Sequence, residues 1–278
     1  SCVVSVSQNG SNKFKSTTAK KTIHVGQLSQ SLSINSLAPI GAAVGDSYVP
    51  SVTSSSNLPV SISVSGACTL ISGVVSFTSV GVCTVSYDQA GNNKYLAATT
   101  VQDVIVIGLT TQSITFSAPT TAYVGDSFVP QAVSSLGATY PVTVSVDSSS
   151  TSVCTLSNGV VNFLTAGTCT LIATQSGDSA TAPALPVNVS ITVSQVDQNV
   201  AFGPVPASTD VGTVLNLGAS SSSGLSLNYA IDPSSTATCS VDKFGNVTAS
   251  SQGSCVVSVS QNGSNKFKST TAKKTIHV

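Results

Sequence analysis

Apolar and polar residues alternate along most of this chain, as in Leu58-Pro59-Val60-Ser61-Ile62-Ser63-Val64. A period of two marks strands with one buried face. The stretch CTLISGVVSFTSVGVCTVSYDQAG predicts three short strands broken at Gly73 and Gly81, with Gly91, Asn92 and Asn93 punctuating before Tyr95 and a last strand over residues 101–107. No segment has helical period with end caps.

The scheme recurs. Gln30-Ser31-Leu32-Ser33-Ile34 answers to Gln112-Ser113-Ile114-Thr115-Phe116 and Gln198-Asn199-Val200-Ala201-Phe202, and Val44-Gly45-Asp46 to Val124-Gly125-Asp126 and Val211-Gly212-Thr213. Pro59 and Pro141 become Ser226, so the third copy diverges most. Cysteines mark the same period in the pairs Cys68/Cys83, Cys154/Cys169 and Cys239/Cys255. Seven or so strands in about 85 residues, with turns every ~8–12, is the pattern of an immunoglobulin-like β-sandwich. The expected architecture is all-β: tandem immunoglobulin-like sandwiches over residues 26–108, 109–194 and 195–278, each with one internal disulfide. We read each bridge as joining the strand before the first glycine hairpin to the strand after the second. The buried Trp of true immunoglobulin domains is absent, and the cysteines lie too close in sequence for the long bridge between sheets found there. Linkers near residues 26–29, 108–111 and 194–197 are short and lack Gly/Ser runs, so neighbours are expected nearly end to end. At ~3.3 Å rise, nine-residue strands would give about 30 Å per sandwich.

One stretch is repeated letter for letter: SCVVSVSQNGSNKFKSTTAKKTIHV fills residues 1–25 and returns at 254–278, an offset of 254 − 1 = 253. Internal repetition of this kind reads as a window on an array. Residues 1–25 supply two strands around Asn9-Gly10, the last two of a sandwich whose other strands must come from upstream chain or a neighbouring molecule. Cys2, the seventh cysteine, copies Cys255; it is expected to be unpaired by truncation, its partner being a copy of Cys239 upstream. The absence of Met fits an interior piece.

Composition narrows the function classes. Paired cysteines in small β-units point to an oxidising compartment. Charged residues make up 7% of the chain, against about a quarter in ordinary domains, so Ser, Thr and Asn carry the solvation. All charges are Lys and Asp; residues 26–278 hold six Lys and ten Asp, a balance of −4. That excludes the clustered basic face of a nucleic-acid binder. No apolar run approaches the ~20 residues of a membrane helix, so no membrane insertion is expected of this segment.

The run Asp242-Lys243-Phe244-Gly245-Asn246-Val247-Thr248-Ala249, followed by Gly253 and an apolar alternation from Val256 to Val259, resembles the signature of bacterial immunoglobulin-like domains of group 2, found in invasin- and intimin-like adhesins. SGVVSF…VGVCTVS and NGVVNF…AGTCTLIA resemble it more loosely, and the cysteine pair followed by Q-A-G-N-x-x-Y is similar to a variant found in very long bacterial surface proteins. The resemblance implies an exported β-sandwich, mostly a spacer, and carries no binding site.

Candidate chemistry is sparse. His24 and its copy His277 are the only histidines, one per period, and with the cysteines committed to bridges no zinc set can be assembled. Abundant serine carries no information about a nucleophile, there is no Glu for a carboxylate pair, and isolated Asp residues belong to turns. An enzyme is not expected, and neither is a cofactor. Asp46, Asp103, Asp126 and Asp197 are the candidate calcium ligands, but Ca²⁺ needs six to eight oxygens and no D-x-D cluster occurs. Lys243 and Lys273 are the candidate cross-linking lysines, but their polar, turn-like or edge contexts predict exposed side chains; Asn188-Val189-Ser190 and Asn246-Val247-Thr248 match the glycosylation pattern by chance. Between Lys94 and Lys243 lie 243 − 94 − 1 = 148 residues without Lys or Arg, which deprives trypsin-like proteases of cleavage sites. The sequence thus points to a structural repeat of a bacterial surface filament or giant adhesin, with neighbouring copies of the repeat as partners. The alternatives are a glycan- or protein-binding module, for which Tyr95 and Phe267 are candidate contacts, and a laterally self-assembling sheath subunit.

Overall fold

The computed structural model describes residues 1–278 and is all-β apart from two three-residue 3-10 turns, Ser148–Ser150 and Pro233–Ser235. Contacts divide the chain into two compact units, Ser1–Gln112 with Ser176–Pro183, and Ser113–Gln175 with Ala184–Val278. Both are built from immunoglobulin-like β-sandwiches with an internal disulfide.

The first unit opens with a hairpin of β1 (Cys2–Gln8) and β2 (Thr17–Ile23), in which every strand position is exposed. The sandwich that follows comprises β3 (Leu32–Ile34), β4 (Ala42–Ala43), β5 (Ser47–Tyr48), β6 (Val52–Ser54), β7 (Ser61–Gly66), β8 (Cys68–Ile71), β9 (Val74–Phe77), β10 (Gly81–Asp88) and β11 (Val101–Gly108). One sheet has the order β4-β11-β10-β7; the other is β5-β9-β8, with β3 paired to β6. Pro50, which has no amide proton to give a ladder, falls in the gap between β5 and β6. The alternation read from the sequence is explicit in β10, where Cys83, Val85 and Tyr87 are buried and Val82, Thr84 and Ser86 face outward. With Val75, Phe77, Ile105 and Ile107 they fill the space between the sheets. The loop Ser176–Pro183 belongs to this unit because Thr110 ladders to it: the Thr110 N–H donates to the Ala180 carbonyl at 2.8 Å and the Ala182 N–H to the Thr110 carbonyl at 2.9 Å.

The second unit repeats the plan twice. Thr121–Tyr123, Val187–Ser194, Gly167–Thr174 and Thr143–Val146 form one sheet over Ser127–Phe128, Val160–Phe163 and Cys154–Ser157, around Val161, Phe163, Leu171 and Ile191. Then Asn228–Ile231, Ser254–Gln261 and Thr270–His277 lie over Val214–Asn216, Asn246–Ala249 and Cys239–Val241, around Leu217, Val247, Val257, Val259 and Ile276.

In every sandwich an early segment runs parallel to the last strand. Ala42 pairs with Ile107, Thr121–Tyr123 pairs with residues 192–194, and Ser208 bridges His277. Tension applied to the two ends therefore loads these hydrogen bonds in shear.

Candidate functional site: the bridged corner and the pinned leading segment

The cysteine pair sits where the chain passes from one sheet to the other. Gly66, the last residue of β7, pairs with Cys83 of β10, and two residues later Cys68 begins β8 in the opposite sheet. Cys68 and Cys83 are bridged with Cα atoms 5.5 Å apart; Cys154–Cys169 and Cys239–Cys255 are bridged at 5.7 Å. Each bridge thus spans the two sheets, contrary to the expectation that cysteines only 15 or 16 residues apart lie too close for a bridge between sheets. The strand pair between the cysteines stays in one sheet, and only the crossing around residues 78–80 returns the chain to the other. Gly66 is required at this corner: its φ is +89°, and a Cβ there would lie 2.1 Å from the Val82 carbonyl oxygen. In the other two sandwiches the corner is a 3-10 turn instead. Ser150, buried, accepts the Thr170 N–H at 3.0 Å and donates to the Thr168 carbonyl at 3.1 Å, and Ser235 makes the same pair of bonds to Val256 and Ser254.

A second recurring device follows the second cysteine by six residues. Gln89 and Gln261 are buried, and their side-chain carbonyls accept the N–H of Gly91 and Gly263 at 2.6 and 2.5 Å. Each also accepts from the amide of the glutamine that opens its sandwich, Gln30 or Gln198. Those opening glutamines donate onward to the Leu96 and Lys268 carbonyls at 2.6 and 2.5 Å; Gln112 likewise donates to Ala182 at 2.9 Å. The leading segment is then zipped to the same loop by backbone. The Leu28 N–H donates to the Lys94 carbonyl and the Leu96 N–H to the Leu28 carbonyl, both at 2.8 Å, and Val196 is bonded in the same way to Lys266 and Lys268. Uncharged groups make this clamp, so it holds across the neutral pH range, and no buried side-chain nitrogen or oxygen lacks a partner.

The first sandwich carries a tyrosine–aspartate group in its core. Tyr48 and Tyr87 are buried and donate to one Asp103 oxygen at 3.0 and 2.7 Å, with Ser36 Oγ 2.6 Å from the Tyr48 hydroxyl. Burial, then the hydrogen bonds with Tyr48 and Asp103 and the Asp103 charge, push the Tyr87 phenol well above the usual tyrosine range. Strand registers put Phe128, Ala173 and Val189 at the matching places of the next sandwich.

The four candidate calcium ligands are used otherwise. Asp46 and Asp126 each accept a turn N–H, of Ala43 and Tyr123, at 2.9 Å; Asp103 holds the tyrosines; Asp197 pairs with Lys268 at 2.8 Å. No group of three or more His, Cys, Asp or Glu side chains comes together. His24 and His277 are exposed near strand ends. Lys273 pairs with Asp232 at 3.0 Å, and Lys243 lies 5.0 Å from the Phe244 ring. Asn188 and Asn246 stand on strands. Tyr95 and Phe267 occupy the same place in their loops, each with the preceding lysine over its ring. Cys2 is exposed and unbridged. A depression beside the second bridge, lined by Val144, Val146, Thr151 and Leu156, has no charged residue. No helix is long and apolar enough to cross a membrane.

No protein-family model and no curated protein sequence matches the chain. Among solved structures it is similar to Drosophila N-cadherin EC1-4 (15% identity, 99% of this chain and 82% of that chain, TM-score 0.29). It is also similar to the human desmocollin-1 ectodomain (10%, 90% and 59%, 0.30) and to domains 1–6 of the surface layer protein SbsC (15%, 95% and 42%, 0.28). At TM-scores below 0.5 these likenesses do not bear on what the chain binds or builds.

Proposed function

We propose that this chain is a structural repeat segment of an extracellular bacterial surface filament or giant adhesin, a non-enzymatic spacer of the group 2-like immunoglobulin class acting as a stiff, protease-resistant rod. The observation that carries the reading is where the strong interactions lie. In each sandwich the bridge ties the two sheets together, while the opening glutamine and the early segment parallel to the last strand hold the leading end of the chain. Three domains with boundaries at residues 26–108, 109–194 and 195–278 are part of this reading, as are export to an oxidising compartment and association with further copies of the repeat. The 148 residues between Lys94 and Lys243 without Lys or Arg suit an exposed fibre. The test is limited digestion of the oxidised chain with a protease of broad specificity such as proteinase K: a resistant core spanning the three sandwiches is expected, and rapid loss of all three would refute the reading.

A second reading has one observation in its favour. At the tip of the third sandwich Asp242 accepts the N–H groups of Phe244 and Asn246 at 2.8 and 2.9 Å, fixing a turn on which Phe244 is 68% exposed. A rigid exposed aromatic beside a lysine is a usable contact for a glycan or protein. Binding on a glycan array that is lost in Phe244→Ala would favour an adhesion module; no binding by either form would leave the spacer reading.

A further inference from the structure

Residues 1–25 and 254–278 are one sequence in two environments. Both form the same hairpin in the same register: Cys2, Val4 and Val6 pair with Ile23, Lys21 and Ala19, and Cys255, Val257 and Val259 with Ile276, Lys274 and Ala272. Both turns use a glycine at positive φ, Gly10 at 77° and Gly263 at 83°, whose N–H donates to Gln8 or Gln261. Local sequence therefore suffices for the hairpin, and only the cover differs. Val257, Val259 and Cys255 are 0% exposed and Ile276 1%, whereas Val4, Val6 and Ile23 are 45%, 69% and 49% exposed. At 254–278 the cover is known residue by residue: Asn228–Ile231 pairs along the strand edge, while Leu217, Val247 and Cys239 pack on the apolar face.

We infer that the open face of the 1–25 hairpin is a docking surface for a second copy of residues 195–253, and that Cys2 is the bridging partner of that copy's Cys239. The occupant follows from identity: the surface offered by 1–25 is, side chain for side chain, the one residues 195–253 cover in this chain. The inference rests on that internal comparison and not on the filament reading. Bridging removes one hydrogen from each thiol; a small disulfide such as oxidised glutathione accepts both and leaves as two thiols, by exchange through a mixed disulfide.

The test is the full chain carrying an added copy of residues 195–253 joined directly ahead of Ser1, folded in a glutathione buffer, with the three existing sandwiches as internal controls of folding. Expected are a fourth bridge by intact mass, a peptide linking Cys2 to the added cysteine, and loss of Cys2 alkylation by iodoacetamide. Amide exchange over residues 3–8 should slow to within about tenfold of residues 256–261, because burial and pairing of the strand set its protection. A version with Cys239→Ser in the added copy should keep the slow exchange without the bridge. Unchanged alkylation of Cys2 with fast exchange over residues 3–8 overturns the inference, and so does a bridge in the cysteine version paired with fast exchange over residues 3–8 in the serine version.

Discussion

Removing the second bridge by Cys154→Ala with Cys169→Ala should expose how much of a sandwich depends on its corner. Both cysteines are 0% exposed, and the bridge closes a loop of 15 residues between strands of opposite sheets. Loop-closure entropy in the unfolded chain for that length is worth about 3 kcal/mol. For a domain of 60–100 residues each kcal/mol moves the midpoint by roughly 4–8 °C, so the affected sandwich should melt about 12–24 °C earlier. Loss of the two sulfurs from a packed site acts in the same direction. Differential scanning calorimetry of the full chain is the assay. One transition should separate towards lower temperature while the other two sandwiches keep theirs, and the chain refolded in reductant should lower all of them. A shift under about 4 °C, less than 1 kcal/mol on the same scale, would refute the argument that the bridge supplies a large share of the stability of so small a domain.

Gln261→Ala leaves the Gly263 N–H and the Gln198 amide without their common acceptor, and should cost about 1–3 kcal/mol, read as faster amide exchange over residues 263–268. In acid the chain should lose stability. Asp147, Asp232 and Asp242 are held below the usual carboxylate range, first by side-chain hydrogen bonds from Ser149, Ser234 and Asn246 respectively, with Lys273 also acting on Asp232. Their unfolded forms bind protons more readily, so the contribution present above about pH 4 is lost as pH falls through the depressed values; a melting temperature that stays flat from pH 6 to pH 2 would contradict this. At the other extreme the raised Tyr87 phenol favours the folded state only while tyrosine is neutral, so the first sandwich should weaken above about pH 10. Tyr87→Phe should cost about 1 kcal/mol at neutral pH and reduce that alkaline loss, followed by melting curves at pH 8 and pH 11.

The period-two pattern and its turn glycines made the strands legible, because alternation and a φ > 0 residue at a hairpin are local signals. The three cysteine pairs were legible from their recurrence once per repeat at nearly constant spacing. The crossing of the bridge between sheets was not, since Gly66 and Cys83 meet only after the sandwich closes. The Tyr48–Tyr87–Asp103 group joins residues 39 and 55 apart, with no trace in either neighbourhood. The glutamine clamp had a signal that composition obscured. A glutamine stands six residues after the second cysteine in every copy, at Gln89, Gln175 and Gln261, yet in a chain solvated by uncharged polar residues it reads as one more surface amide. The corner turns Asp147-Ser148-Ser149-Ser150 and Asp232-Pro233-Ser234-Ser235 had a signal too, an Asp capping a short serine run.

The claim that these sandwiches are mechanical units is tested most directly by stretching single chains between their ends with and without reductant. Oxidised chains should give separate unfolding peaks, as the parallel end strands yield in shear, with the residues between each cysteine pair held back. In reductant every step should lengthen by about 50 Å, the reach of ~15 residues at ~3.5 Å each. Smooth extension without peaks, or steps of the same length in both conditions, would contradict the account.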